Sequence, residues 1–145
     1  MTTSYRNATS VSIAGFAVLL EGAPKSGKSS LALHLTENGG KLISDDLTFI
    51  KKEEDSLYAL PAEKMSGYLH IRELGLLKID KVETKKKRIG AIIKLVDEVN
   101  IEQKQIDILD VQIPVFQFKK YDFALTNKIK AVIKLLKKEW KFPHC

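Results

Sequence analysis

The segment Gly22-Ala-Pro-Lys-Ser-Gly27-Lys28-Ser29 constrains this chain more than any other feature. It fits G-x-x-x-x-G-K-[ST] at every fixed position. The apolar run Phe16 to Leu20 leads into it, and good helix formers from Ser29 to Asn38 follow it and stop at Gly39-Gly40. Glycines at 22 and 27 permit a tight loop whose backbone N–H groups point inward. Lys28 can reach the outer phosphates of a nucleotide, and the Ser29 hydroxyl suits Mg²⁺. The N-terminal end of the helix adds partial positive charge. The expected phosphate-binding residues are therefore Gly22, Ala23, Pro24, Lys25, Ser26, Gly27, Lys28, Ser29 and Ser30. Lys25 and Ser26 occupy variable positions of the motif, where solvation alone is a common outcome.

A second candidate group lies a short distance along the chain. Lys41-Leu-Ile-Ser44 reads as an apolar strand, and Asp45-Asp46 follow where a carboxylate opposite a phosphate loop belongs. Two adjacent acids allow two roles: one holds Mg²⁺, directly or through water, and the other accepts a proton from an attacking hydroxyl. Ser29 and Asp46 form the candidate metal pair, Asp45 and Asp46 the candidate catalytic acids, and the spacing leaves open which acid is the base. The alternative is a turn whose acids cap the next segment.

Composition bounds the rest. With 145 residues, 44% hydrophobic and 29% charged, the chain reads as one domain, residues 1–145, with a core of its own. A single cysteine, Cys145, permits no internal disulfide, and no secretory leader pattern opens the chain, so the expected compartment is the cytoplasm. The longest apolar stretch, Ala14 to Leu20, is far shorter than the roughly 20 residues of a membrane helix. The formal charge of +6 favours anionic partners without choosing among them. The basic run Lys85 to Arg88 lacks interleaved aromatics, so nucleic acid is not an expected partner.

The expected elements are strand-rich. Val11 to Ile13 and Phe16 to Leu20 form two strands around Ala14-Gly15, and Leu47 to Lys51 with Leu57 to Leu60 form a hairpin. Further strands are expected at Leu69 to Arg72, Leu74 to Ile79, Ile89 to Val96 and Ile108 to Phe118, with Lys85 to Arg88 and Asn100 to Gln105 as loops. From Asp122 to Lys141, Ile129, Val132, Ile133, Leu136 and Trp140 recur at helical spacing, predicting an amphipathic helix docked on the sheet. His34 reads as a surface or packing residue, and His144 with Cys145 lack the spacing of a metal site.

Leu19 to Leu33 and Gly39 to Asp46 together resemble the catalytic domain of HPr kinase/phosphorylase. Gly67-Tyr-Leu-His-Ile-Arg72-Glu-Leu-Gly75-Leu-Leu-Lys-Ile is similar to that family's second signature, and Val111-Gln-Ile-Pro-Val-Phe to the end of its short proteobacterial members, which lack the N-terminal domain. The resemblance implies an α/β P-loop fold similar to phosphoenolpyruvate carboxykinase, with a mixed strand-rich sheet, a P-loop helix and the C-terminal amphipathic helix. It implies an ATP- and Mg²⁺-dependent serine kinase acting on the phosphocarrier protein HPr, with a reverse phosphorolysis, in a homo-oligomer that is commonly a hexamer. Carried residue by residue, Gly22, Gly27, Lys28 and Ser29 match the nucleotide loop, Asp45 and Asp46 the acid pair, and Arg72 the signature arginine, so Asp45, Asp46, Lys28 and Arg72 are the candidate catalytic residues.

Three positions depart from the pattern. Asn7 stands where the family has a histidine associated with the acceptor hydroxyl or phosphate, and an amide cannot carry a proton between steps. His70 stands for an acidic residue associated with the metal, and Glu73 for a glycine. Imidazole is a poorer Mg²⁺ partner than an oxygen ligand. The expectation is surviving ATP binding and kinase activity with weak phosphorolysis. The alternatives are a nucleotide-sensing module without catalysis, or a small-molecule kinase or simple NTPase on the same loop.

Overall fold

The computed structural model describes residues 2–62, 66–100 and 104–141. At its centre β3 (Phe16–Gly22) runs parallel to β9 (Lys87–Val96), with Leu19 opposite Ile92 and Gly22 opposite Leu95. Both strands are apolar enough to be covered on two faces: Ala17 to Leu20 are all buried, as are Ile89, Ala91 to Ile93 and Leu95. β2 (Thr9–Ile13) folds back antiparallel on β3 through Ala14 and Gly15, both at positive φ, and β4 (Lys41–Ser44) lies antiparallel beyond it.

The other edge of β9 is shared. β6 (Ser56–Pro61) meets Lys87 and Arg88 antiparallel, and β11 (Val111–Lys119) runs parallel to Ile92 through Val96. β5 (Thr48–Glu53) hairpins onto β6, and β1 (Thr3–Arg6) closes that edge on β5. β10 (Gln105–Ile108) hairpins onto β11. The mixed sheet has the order β1-β5-β6-β9-β3-β2-β4, and β7 (Tyr68–Ile71) with β8 (Gly75–Lys78) form a separate hairpin.

Alternation along the central strands supplies two apolar layers. Val18, Leu20, Ala91 and Ile93 face the helices α1 (Lys28–Thr36) and α2 (Leu125–Lys141), packing with Leu31, Leu35, Ile129, Val132 and Ile133. Ala17, Leu19, Ile89 and Ile92 face the opposite way, onto Ile50, Leu57, Ile113 and Val115. A bulge at Gly90 makes this possible: Ala17 pairs with Ile89 but Val18 with Ala91, so Ile89 and Ala91 serve opposite layers. A Cβ at Gly90 would lie 2.8 Å from Leu136 and 2.9 Å from Phe16, so glycine here also lets α2 approach the sheet.

The expected strands around Ala14-Gly15, the hairpin of residues 47–60, the phosphate-loop helix and the terminal amphipathic helix are all present. Gly39 ends α1 at φ +98°, the left-handed turn expected of it. Three expectations are corrected. Lys87 and Arg88 belong to β9, because β6 supplies backbone partners for them and draws the strand two residues into the basic run. The stretch Ile108 to Phe118 is two strands, since Leu109 and Asp110 both turn at positive φ and start a hairpin. Gln105 starts β10 instead of ending a loop, while residues 101–103 of that expected loop lie outside the described residues, as do the side chain of Trp140 and both His144 and Cys145.

Glu83, on the connection between the β7–β8 hairpin and β9, ties that connection to the sheet. Its carboxylate accepts from the Ser12 hydroxyl at 2.8 Å and from the N–H groups of Thr84 at 3.1 Å and Lys85 at 3.3 Å, with Lys87 Nζ 3.8 Å away. Burial pushes its pKa up, but the Ser12 hydroxyl, the Lys85 N–H and the charges of Lys87 and Lys41 together outweigh burial and hold it below the usual carboxylate value. A carboxyl lowered in the folded state contributes stability that is complete above its unfolded pKa and is lost as pH falls through the folded one. Glu83→Gln should therefore cost about 1 kcal/mol at neutral pH and much less in acid, where the carboxyl is protonated in the folded protein as well, read as urea midpoints under the two conditions. An equal loss at both would contradict this role.

Candidate active site

The glycine loop is held between the end of β3 and the start of α1. Lys25 at φ +70° and Gly27 at φ +92° turn the chain in the left-handed region. The Ser26 N–H closes an inner turn on the Ala23 carbonyl at 3.1 Å. Gly22 has no room for a side chain: a Cβ would lie 2.5 Å from Ser26 Oγ and 3.0 Å from the Leu95 carbonyl oxygen. Gly27 caps α1 without a side-chain hydrogen bond, and the first turn of α1 carries no acid, so its N–H groups remain open to an outside anion.

Ser26 is 2% exposed, and its Oγ finds no hydrogen-bond partner among the described residues. A buried hydroxyl left this way costs about 1–3 kcal/mol, and an anion oxygen in the loop would satisfy it. The loop therefore fits a phosphate by its own chemistry.

The acid pair stands opposite. At the end of β4 the Asp45 carboxylate accepts three hydrogen bonds: Oδ1 from the Ser29 hydroxyl at 2.9 Å and the Thr9 hydroxyl at 2.8 Å, and Oδ2 from the His70 N–H at 2.9 Å. Asp46 turns outward at φ +60°, and its N–H donates to Thr9 Oγ1 at 3.2 Å. Sequence pairs Ser29 with Asp46 as metal ligands; in the structure the Ser29 hydroxyl is bonded to Asp45, and Asp46 is exposed at the cleft mouth. Ser29 Oγ and the Asp45 carboxylate are hard oxygen donors side by side, the set that Mg²⁺ selects.

The loop and Asp46 share one cleft of about 580 Å³, with Asp45 bonded to Ser29 beside it, within the range of roughly 300–1,000 Å³ typical of ligand sites. Pro24 to Ser30, Asp46, His70, Arg72, Glu73 and Tyr121 line it. The hairpin β7–β8 carries Arg72 to the loop from outside the main sheet, so the signature arginine and the motif lysine meet only in three dimensions. Gly22 and Ala23 line an adjoining depression with Glu21, Lys94 to Asp97 and Lys120. Asn7 is exposed and does not line the cleft, while Arg6 beside it pairs with Glu21 on β3.

Two residues of this site escape sequence reasoning. Thr9 is fully buried on β2 and its single hydroxyl serves both acids. Tyr121, beyond β11, lies 3.4 Å from the Cβ position of Gly27, and its hydroxyl donates to the Lys25 carbonyl. Neither belongs to a motif; a threonine in a buried strand and a tyrosine before a helix carry no local signal. His34, expected to be a packing or surface residue, bonds Thr126 on α2 through Nδ1 at 2.6 Å.

Fold and site define a mixed α/β protein built around a strand–glycine loop–helix unit with an acid pair at its mouth. The family model described as HPr Serine kinase C-terminal domain matches residues 2–138. The HPr kinase/phosphorylase of Chloroherpeton thalassium is 30% identical over 139 residues, covering 86% of this chain and 41% of that protein. That of Geobacter sulfurreducens is 30% identical over 126 residues, covering 77% and 40%. The solved Hpr(Ser) kinase/phosphatase of Coxiella burnetii superposes with a TM-score of 0.84 at 21% identity, over 95% of this chain and 93% of that one. This chain belongs to the HPr serine kinase C-terminal domain family. It spans about two-fifths of the length of the curated relatives it matches.

Thr9→Val keeps the β-branched shape but leaves the Asp45 carboxylate one donor short and the Asp46 N–H without its acceptor. The expected loss is about 1–3 kcal/mol by urea unfolding, mostly restored in Thr9→Ser. Wild-type stability in Thr9→Val would show that the acids need no such support.

Proposed function

We propose that this chain is an ATP-dependent phosphotransferase that passes the γ-phosphoryl group to a serine of HPr. The observation that carries the reading is the single cleft in which the glycine loop, Lys28, Asp46 and Arg72 converge beside Asp45, in a chain of this family. Relatives bearing the name HPr kinase/phosphorylase give the substrate class.

Each residue has a part. The loop N–H groups and Lys28 bind the phosphates of ATP, and Arg72 meets the negative charge on the transferred group. Ser29 and Asp45 would hold Mg²⁺, which supplies charge neutralisation on the phosphate oxygens. Asp46, outward and unencumbered by the donors that surround Asp45, accepts the proton of the serine hydroxyl as its oxygen attacks phosphorus and the bond to ADP breaks. Three cationic side chains, Lys25, Lys28 and Arg72, line the cleft against two acids, Asp46 and Glu73, which favours an anionic ligand.

The same reading puts the protein in the cytoplasm with HPr, in a homo-oligomer that by resemblance is a hexamer. Phe123, 97% exposed, and Leu74, 72% exposed, are apolar surfaces suited to such contacts. By the resemblance, phosphorolysis is the weaker direction: Asn7, which stands outside the cleft, replaces the family's histidine and cannot relay a proton. Among the described residues no helix is long and apolar enough to cross a membrane.

Lys28→Ala should cut label transfer from radiolabelled ATP to HPr by about 10²–10³-fold, with an unchanged far-UV circular dichroism spectrum. Undiminished transfer would refute the role of the loop. ATP binding without transfer to HPr in the wild type would favour the sensing module.

A further inference from the structure

A phosphate loop works only if its peptide units turn N–H groups, and not carbonyl oxygens, toward the anion. In this loop the Lys25–Ser26 peptide gives its N–H to the Ala23 carbonyl, so its carbonyl oxygen is the part that must be kept from the anion. Lys25 sits at φ +70°, in the left-handed region that a residue with a Cβ adopts at a cost. Turning this peptide over would bring the Lys25 carbonyl oxygen into the cleft, against a negatively charged ligand.

The structure holds that peptide at both ends. Its N–H donates to the Ala23 carbonyl inside the loop, and its carbonyl accepts from the Tyr121 hydroxyl, which comes from the segment between β11 and α2, 96 residues along the chain. We propose that Tyr121 is a positioning residue for anion binding: it fixes the Lys25 carbonyl outward and so keeps the loop in its phosphate-accepting form. The inference deepens the reading of the cleft as a nucleotide site and rests on it.

Tyr121 is itself built to stay in place. It has φ +63°, a second strained residue facing the first. On one side the Lys120 N–H donates to the Val96 carbonyl at 2.9 Å, and the Lys120 ammonium pairs with Asp97 at 2.7 Å. On the other side Asp122 caps the approach to α2, its Oδ1 accepting from the Ala124 N–H at 2.8 Å and its Oδ2 pairing with Lys128 at 2.6 Å. The tyrosine is thus a short bridge between a sheet end and a helix cap. Its ring lies against Gly27, so any side chain at that glycine would meet it. Although 67% exposed, the ring has a fixed address.

Tyr121→Phe removes the hydroxyl and keeps the ring against Gly27. Thr126→Val is the matched control, because it cuts a hydrogen bond from α2 to α1, that to His34 Nδ1, away from the loop. Calorimetric titration with pyrophosphate and with ATP plus Mg²⁺, alongside the Tm of each variant, separates the two effects. Tyr121→Phe is expected to weaken both ligands about 3- to 10-fold, the size of one net hydrogen bond, with little change in Tm. Thr126→Val is expected to lower Tm and leave both affinities alone. Wild-type affinity in Tyr121→Phe overturns the proposal, as does a loss of affinity that tracks Tm in both variants. A wild-type protein that binds neither ligand defeats the nucleotide reading itself, and this inference with it.

Discussion

The Asp45 carboxylate is the junction on which the site depends. Its three donors come from three separate elements: Thr9 from β2, Ser29 from α1 and His70 from β7. A carboxylate with its lone pairs engaged in this way has one orientation, and it fixes the distance between the sheet end, the helix that follows the glycine loop and the hairpin that carries Arg72. That division of labour also frees Asp46. Placed at φ +60° by the turn that holds its neighbour, Asp46 projects to the cleft without those bonds. Two acids that are adjacent in sequence thus acquire unlike surroundings, the usual way for one pair of carboxyls to take two tasks.

Behind this junction lies the parallel β3–β9 pair, buried on both faces, with the Gly90 bulge matching its two sides to two different apolar layers. The loop leaves the end of β3 beside Leu95 of β9, at the carboxyl ends of parallel strands where open α/β sheets place their ligands. α2 then packs across the sheet and its leading residues reach back to the loop through Tyr121 and to α1 through Thr126.

What was legible in the sequence is what is local. The loop, its flanking strand and helix, the Ala14-Gly15 turn and the apolar stripe of α2 depend on glycine positions and periodicity within a few residues, and all are found where the spacing predicts. The edge strand β1 and the break at Leu109–Asp110 were not legible, because β1 is ordered by pairing with β5, far along the chain, and the break puts Leu109, a residue with no turn preference, at positive φ beside Asp110 within an otherwise strand-like run. Within the site, the motif and the acid pair announced themselves, but the choice of Asp45 over Asp46 as the partner of Ser29 turns on a backbone conformation that sequence does not encode locally. Thr9 and Tyr121 gain their importance from what they meet across 36 and 96 residues of chain.

The central claim is that loop and acid junction form one nucleotide–cation site. A crystal structure with Mg²⁺ and a non-hydrolysable ATP analogue tests it most directly. The account predicts phosphate oxygens on the N–H groups of Gly27, Lys28 and Ser29 and on Ser26 Oγ, with the cation between Ser29 Oγ and Asp45 and the terminal phosphate facing Asp46 and Arg72. Nucleotide bound away from this loop, or a cation held by Asp46 with Asp45 still locked on Ser29, would contradict it.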